Sequence, residues 1–413
     1  MLFARILTAT DPTGVETRLR EYLNAPAAAA LAQAKQATIA AIDVADAQRA
    51  TALVAALVAC GAVAECSGRF VATVATPAQL AAAQARYEEF AGEIQALTVA
   101  VCNAREPVAI LRMRDRTLAV CDEAHVMGIL NVTPDSFYER VRGTKTAVDV
   151  ARRCAADGAA LVDIGGQSYA HWNPRIAAEE ECSRVLPVVE AIIAAKIDVA
   201  LSIDTWKASV ARTALEAGAH LINDCSGLAD PDLAAVVAQY DAALVVMHIK
   251  GELNVRSVAA YTYGDAMKEI IEFLYERTES ARAAGVARES IVIDPGLEFG
   301  KEPQTDLEIL DRFGELRALG YPILLAASRK SFLGRIFGRP AQELLVPSLA
   351  TAGLGIAAGA RLLRVHDVAE TVALAAMYAA VSPRRRETIG WADRMPGRDE
   401  AAGNPRSRRA VEK

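Results

Sequence analysis

Along the chain, eight short apolar runs each end in, or close to, a residue able to do chemistry. VMGILNV carries Asn131, ALVDIGG carries Asp163, and DVALSID ends at Asp204. LINDCS supplies Asn223 and Asp224, ALVVMHI supplies His248, and SIVIDPG supplies Asp294. PILLAAS leads into Arg329 and Lys330, and RLLRVHD brings Arg364, His366 and Asp367. Burying charge among apolar residues is costly unless the charge is paired or used. One such residue is readily explained as a helix cap or a structural partner. Eight in succession point to a functional site. Asp204, Asn223 and Asp294 offer acceptors, and Asn223 donors as well, to a flat heterocycle with amino and ring N–H groups. Lys330, Arg364 and His366 offer cations for phosphate or pyrophosphate, and Arg364 can also stack on a ring. Asn131 alone is a sparse ligand set, yet Mg2+ commonly takes few protein oxygens and completes its shell with phosphate and water. Residue types thus lead to a planar, nitrogen-rich, diphosphorylated ligand and stop short of a named reaction.

Those residues need a scaffold that gathers the ends of all eight runs. Amphipathic stretches separate the runs, among them 147–155, 207–217, 265–284 and 306–319. Eight near-continuous apolar strands alternating with helices predict an α/β chain with a (β/α)8 TIM barrel, whose strand C-termini converge on one face. An open doubly wound sheet is disfavoured because no GxGxxG turn follows the first strand. Residues 1–105 read as a separate small α/β N-terminal domain, with strands at 3–7, 37–44, 70–74 and 98–101 and helices at 46–60 and 77–97. The barrel unit spans 106–381 and opens with a β-hairpin over 110–120, placed to close the bottom of the barrel. Residues 382–413, rich in Pro, Gly and Arg, read as a disordered basic tail.

Composition removes several function classes. The chain has 413 residues, 53% hydrophobic and 23% charged, enough for a large core. Its 45 Lys+Arg against 51 Asp+Glu give a net charge of -6, which argues against a nucleic-acid partner. Seven cysteines without a CxxC pair predict reduced thiols and a cytoplasmic location. The start, MLFARILTATDPTG, lacks the apolar core of a signal peptide. The longest uncharged stretch, 344–360, is broken by Pro347 and three glycines and falls short of the ~20 apolar residues of a membrane span.

Seven motifs together carry a family resemblance. They are MGILNVTPDSF (127–137), SIDT (202–205) with Lys207, LINDCSG (221–227), VVMHIKG (245–251), IDPGLEFGK (293–301), SRKSFLG (328–334) and RVHDV (364–368). In this order, over about residues 110–381, they resemble the dihydropteroate synthase family. The resemblance implies a TIM barrel that condenses 7,8-dihydropterin-6-ylmethyl diphosphate with 4-aminobenzoate, releasing pyrophosphate in folate biosynthesis. By motif position it implies that Asp204, Asn223, Asp294 and Lys330 hold the pterin, with Met247 and Phe299 lining the pocket. Arg364 would stack on the ring and, with His366 and Asn131, bind the diphosphate, Asn131 through Mg2+. Phe137, Lys330 and Ser331 would meet the aminobenzoate, and Lys330, Arg364 and His366 would be the catalytic set. The partners implied are small-molecule substrates and a second copy in a homodimer.

Departures from the family pattern concentrate in loops. After the second strand GGQSYAHWNPR stands for GGESTRPG, so Gln167 replaces Glu, and Tyr169, Ala170 and His171 replace Thr, Arg and Pro. Arg175 is the candidate substitute for the missing diphosphate arginine, with a solvent-exposed bystander as the alternative. Residues 138–141 (YERV) replace SDGG, Glu298 stands where glycine is usual, and Ala326 replaces a glycine near the pterin. Three alternatives to the synthase follow: a non-catalytic pterin-binding paralogue, a synthase for another arylamine, and a corrinoid-linked methyltransferase, which NVTPDSF and SRKSF oppose. Elsewhere Cys154, Cys182 and Cys225 read as small apolar fillers. His125 and His220 read as residues of the non-catalytic end, His248 as an orienting group, and 179–181 as an exposed helix face.

Overall fold

The computed structural model describes residues 3–7, 19, 20, 22, 23, 38–133, 144–169, 173, 175–251, 253 and 262–381. The expected tail 382–413, Phe137 with 138–141, and Ala170 and His171 lie outside the described residues.

Strands β1 (Ala4–Leu7), β2 (Ile39–Asp43), β3 (Val63–Ser67) and β4 (Phe70–Val74) form an antiparallel sheet in the order β1-β2-β4-β3. Helices α1 (Ala47–Ala59), α2 (Pro77–Arg86) and α3 (Ala91–Arg105) accompany it. Pro77 at the first helical position and a reciprocal Thr76–Gln79 cap start α2. The helix expected over 77–97 is interrupted at Tyr87, where a 3-10 turn (Glu88–Phe90) redirects the chain. The strand expected at 98–101 is instead part of α3. Ile94, Leu97, Val101 and Ala104 are buried there at helical spacing, and a four-residue apolar run cannot distinguish a strand from one turn of a buried helix. Strand β3 went unforeseen because its sequence, VAECS, buries a single residue, as befits a sheet edge.

The barrel follows the β5 (Ile110–Met113) and β6 (Arg116–Ala119) hairpin. Its strands are β7 (His125–Asn131), β8 (Leu161–Gly165), β9 (Ala200–Asp204), β10 (Leu221–Asp224), β11 (Ala243–Met247), β12 (Ile291–Asp294), β13 (Ile323–Leu325) and β14 (Ala360–Val365). All neighbours are parallel, and β14 closes on β7 with Leu362 beside His125. The outer helices are α4 (Thr144–Ala156), α5 (Ala178–Ala194), α6 (Ala208–Glu216), α7 (Leu233–Gln239), α8 (Ala266–Ala283), α9 (Pro303–Asp311), α10 (Ser331–Phe337), α11 (Leu345–Ala358) and α12 (Val368–Val381). Inward side chains such as Met127, Leu161, Leu221 and Val292 fill the barrel, and Leu111 and Met113 of the hairpin join the same cluster from below. The hairpin therefore floors the barrel, as its position in the sequence suggests. Among the described residues no helix is long and apolar enough to cross a membrane.

The N-terminal sheet is fastened to the barrel by charge. Asp265 caps α8 by accepting from Lys268 N (3.1 Å), and the same carboxylate accepts from Arg5, Tyr22 and Arg312. Arg312, 1% exposed, also donates to both oxygens of the fully buried Glu315 (2.8 and 2.9 Å). Burial alone would raise the Asp265 pKa, but the Arg312 and Arg5 guanidiniums hold it well below the usual carboxylate range. Lys268 reaches Asp43 at 2.7 Å, and Asn103 of α3 donates to Ala318 O at 3.0 Å.

Candidate active site

Asn131, Gly165, Asp204 and Asn223 are register neighbours across β7 to β10 and form one rung at the strand ends. Asp163 lies two residues deeper on β8 and is fully buried. Its Oδ1 accepts from Ser202 Oγ, and its Oδ2 from Asn223 Nδ2 (3.0 Å) and Arg364 Nε (2.6 Å). Arg364 Nη2 continues to Asp204 Oδ2 at 2.8 Å, and the Cys225 thiol donates to Asp204 Oδ1 at 3.3 Å. One guanidinium is thus held between two carboxylates. Burial pushes Asp204 up to about 7, against the pull of Arg364 and with Asp163 adding to the rise. Burial also pushes the Cys225 thiol well up, so it remains a donor rather than the inert filler the sequence suggested. Arg364 Nη1 and Asn223 Oδ1 make no hydrogen bond with the described residues.

The loop after β12 supplies the opposite wall. Asp294, 4% exposed, accepts from Gly296 N at 2.7 Å through Oδ1, while its Oδ2 has no partner among the described residues. Burial raises its pKa and the nearby Lys330 opposes the rise. Gly296 has φ +67°, and a Cβ there would meet His248 O at 2.0 Å, so only glycine fits. Lys301 holds this loop: its Nζ reaches His248 Nδ1 (2.9 Å), Gly296 O (2.7 Å) and Phe299 O (2.9 Å). Burial brings Lys301 down to about 7. Burial and the neighbouring Lys301 keep His248 well below its usual range, and its role is to orient that lysine. Met247 packs with Cys225 and Leu253, and Tyr169, Trp206 and Phe299 join them to form the apolar part of the mouth. Lys330 Nζ donates to Leu297 O (2.6 Å) and sits 5.2 Å from the Phe299 ring centre. Glu298, at φ +69°, accepts through Oε1 from Ser331 Oγ and Phe332 N, both at 2.7 Å.

After β14, His366 Nδ1 is 3.1 Å from Ser328 Oγ. Burial and the neighbouring Arg364 lower its pKa to about 4, so at neutral pH the imidazole of the unliganded protein is neutral, where the sequence suggests a cation. Arg329 pairs with Asp367 through two bonds (2.8 and 2.6 Å) and with the Ala341 carbonyl, tying the SRKSF and RVHDV segments together.

The divergent loop after β8 is anchored by a buried lysine. Lys207 Nζ contacts Gln167 Oε1 (2.7 Å), Ile176 O (2.8 Å) and Glu181 Oε2 (2.5 Å). Glu181 is 0% exposed, so the acidic run is not simply a solvated face. With Glu181 supplying the carboxylate, an amide at 167 completes the shell without adding a second negative charge, which accounts for Gln167. Tyr169 OH donates to Asp204 O at 3.3 Å. Arg175 donates through Nη2 to Leu253 O (2.9 Å) and lies 5.9 Å from the Trp206 ring centre, bridging two loops at the mouth. No group of three or more His, Cys, Asp or Glu suited to a metal exists among the described residues. Asn131 nevertheless fits the sparse Mg2+ mode: a Cβ on Gly165 would approach its Oδ1 to 3.0 Å, so the glycine leaves that oxygen room.

Asp163 was visible in the sequence without a role, although its alternation with Leu161 and Gly165 points it inward. Lys301 lies inside the IDPGLEFGK motif, where nothing in the sequence separates it from a solvent-exposed lysine. Nothing in the sequence marked Glu181 apart from its acidic neighbours.

Comparison with known proteins gives a consistent picture. A family model described as pterin binding enzyme matches residues 127–366. A dihydropteroate synthase of Synechocystis is 40% identical over 249 residues, 59% of this chain and 85% of that protein. A Mycobacterium tuberculosis protein named inactive dihydropteroate synthase 2 is 38% identical over 273 residues, 65% of this chain and 86% of its own length. The solved dihydropteroate synthase of Thermus thermophilus in complex with 4-aminobenzoate is 36% identical, with a TM-score of 0.60 over 66% of this chain and 100% of that one.

Proposed function

Because the chain belongs to the dihydropteroate synthase family of pterin-binding enzymes, we propose that it is a transferase joining 7,8-dihydropterin-6-ylmethyl diphosphate to an arylamine of the 4-aminobenzoate type, with release of pyrophosphate, in folate biosynthesis. One observation carries this reading: Asp294 Oδ2, Asn223 Oδ1 and Arg364 Nη1, at the ends of β12, β10 and β14, have no partner among the described residues. One acceptor on an aspartate, one on an asparagine and one guanidinium donor, left without such a partner at the strand ends, suit a ligand with both donors and acceptors.

In the reaction the methylene C–O bond breaks with its electron pair leaving on the diphosphate. The arylamine nitrogen forms the new C–N bond and sheds a proton. Arg364 Nη1 and the neutral His366 donate to the departing oxygens, and Lys330 adds charge beside the ring. Asp204 and Asp294 favour the positive charge that develops on the methylene. Met247 and Phe299 supply the apolar walls of the pterin pocket. Asn131 would hold Mg2+, which when bound neutralises charge on the diphosphate. By motif position Phe137 and Ser331 would contact the arylamine. Arg175, which donates to the Leu253 carbonyl, would stand in for the missing loop arginine at the diphosphate. A second reading, a pterin-binding protein without catalysis, draws on the divergent loop 165–175 and on the relative named inactive.

The purified chain, given the dihydropterin diphosphate, Mg2+ and 4-aminobenzoate or its neutral analogues, is expected to release pyrophosphate in step with a pterin–arylamine adduct. Pterin binding without release for any acceptor would favour the second reading. A homodimer is part of the proposal, since α11 and α12 expose Val346 (73%), Leu354 (49%) and Met377 (65%). Light scattering of Val346→Asp should then report a monomer.

A further inference from the structure

We propose that Ser328 donates its hydroxyl proton to Nδ1 of His366, fixing the ring and leaving its own proton on Nε2, so that the imidazole meets the departing diphosphate as a hydrogen-bond donor. The inference rests on the reading above, in which His366 donates to that group. Register brings the two residues together. Leu325 of β13 pairs with Leu363 of β14, and Ser328 and His366 each follow three residues later. One residue further on, Arg329 closes on Asp367 through Nε (2.8 Å) and Nη2 (2.6 Å), which locks the two segments side by side. Arg329 holds a left-handed backbone, φ +56°, and its N–H donates to Ser348 Oγ at 2.9 Å. That conformation is unfavourable for a long side chain and persists because contacts on either side impose it.

Ser328 Oγ makes two hydrogen bonds with the described residues, and both go to His366. It accepts from the His366 backbone N–H at 3.2 Å and lies 3.1 Å from the ring Nδ1. A hydroxyl has one proton to give. With Nδ1 protonated, the oxygen would accept twice and its own proton would find no acceptor among the described residues. With Nδ1 bare, the hydroxyl donates to it and the whole set is paired. The neutral ring then carries its single proton on Nε2. The other tautomer would turn a bare Nε2 lone pair toward anionic oxygens, which repels. No proton leaves the ring in the step; Nε2–H stabilises the charge that collects on the leaving oxygens. Ser328 is therefore a positioning residue, acting on the diphosphate only through His366.

The test combines nitrogen NMR of the full chain, labelled at the histidine ring nitrogens and held near neutral pH, with turnover. The chain has five histidines, so His366→Asn identifies the His366 signals by their loss. In the unaltered chain Nδ1 should be bare and Nε2 protonated. In Ser328→Ala the Nδ1 signal should shift, because its donor has gone, and in Ser328→Thr, which keeps the hydroxyl, it should stay. With the dihydropterin diphosphate, Mg2+ and 4-aminobenzoate, kcat of Ser328→Ala should fall about five- to tenfold while the KM of the arylamine is unchanged. Ser328→Thr should recover most of that loss. A protonated Nδ1 in the unaltered chain overturns the inference whatever the variants do. Ser328→Ala with the parent's Nδ1 signal, or with the parent's kcat, overturns it as well. If the ring signals behave as expected but the unaltered chain releases no pyrophosphate with any arylamine, the transferase reading falls and the Ser328–His366 assignment stands.

Discussion

Two guanidiniums in this chain sit between carboxylates, and they serve opposite ends. Arg312 lies where the N-terminal sheet meets the barrel, 1% exposed, and its Nε, Nη1 and Nη2 all donate to Asp265, Glu308 or Glu315. Arg364 lies at the mouth between Asp163 and Asp204, its side chain 18% exposed and its Nη1 without a partner among the described residues. The neighbouring carboxyls respond accordingly. Two arginines hold Asp265 low, whereas Asp204, sharing one arginine with Asp163, is pushed up by burial. A closed network of this kind serves structure; an open one is completed by a ligand.

The largest effect should come from breaking the closed network. Arg312→Ala strands Glu315 as an unpaired buried charge, and the expected loss of stability is ~3–5 kcal/mol. Urea unfolding would read it, with pterin binding retained in whatever fraction stays folded. Asp294→Ala tests the open site from the other side. Losing a charged hydrogen bond of about 1.5–3 kcal/mol should weaken pterin binding roughly tenfold to hundredfold. The unfolding midpoint should hold or rise, because a carboxyl burdened by burial has been removed. A midpoint that drops as far as that of Arg312→Ala would erase the distinction between the two networks.

Titration sharpens the contrast, because the two aspartates should depend on pH with opposite sign. Asp204 is raised from 3.8 to about 7. The native state then binds more protons than the unfolded chain across that window, and the contribution to stability falls as pH rises through it. Asp265 is depressed, so its contribution is present above the unfolded value and fades in acid. Asp204→Asn should accordingly gain on the parent between pH 4 and 8, by ~1 kcal/mol or more. Asp265→Asn should lose most at neutral pH and little in acid. The smallest expected effect belongs to Cys225→Ala. Removing the thiol donor from Asp204 Oδ1 should weaken pterin binding by about 0.5–1 kcal/mol, a few-fold in calorimetry.

The open network was largely legible in the sequence, and the closed one was not. Asp204, Asn223, Asp294 and Arg364 each end an apolar run, and a barrel brings strand ends together whatever their distance along the chain. Arg5, Asp265, Arg312 and Glu315 carry no such signature. Arg5 lies on β1, Asp265 and Arg312 at helix caps, and Glu315 in a 3-10 turn (Phe313–Leu319), and only tertiary docking makes partners of them. Local ambiguity explains the remaining misses. The run 98–101 suits a strand or a buried helical turn equally well, and Glu181 differs from Glu179 and Glu180 only in the face it presents. The neutral imidazole of His366 in the unliganded protein follows from burial beside Arg364, which a motif does not encode.

The hairpin that floors the barrel carries a consequence for traffic. Leu111 and Met113 cover the lower end of a barrel already filled by side chains such as Met127 and Val292, so the polar residues lie at the upper end. Asp294 sits deep, 4% exposed, while Ser331 and Glu298 stand at the threshold, exposed and half-exposed. On the proposed two-substrate reaction, the ligand held by Asp294 would have to enter before the one held at Ser331.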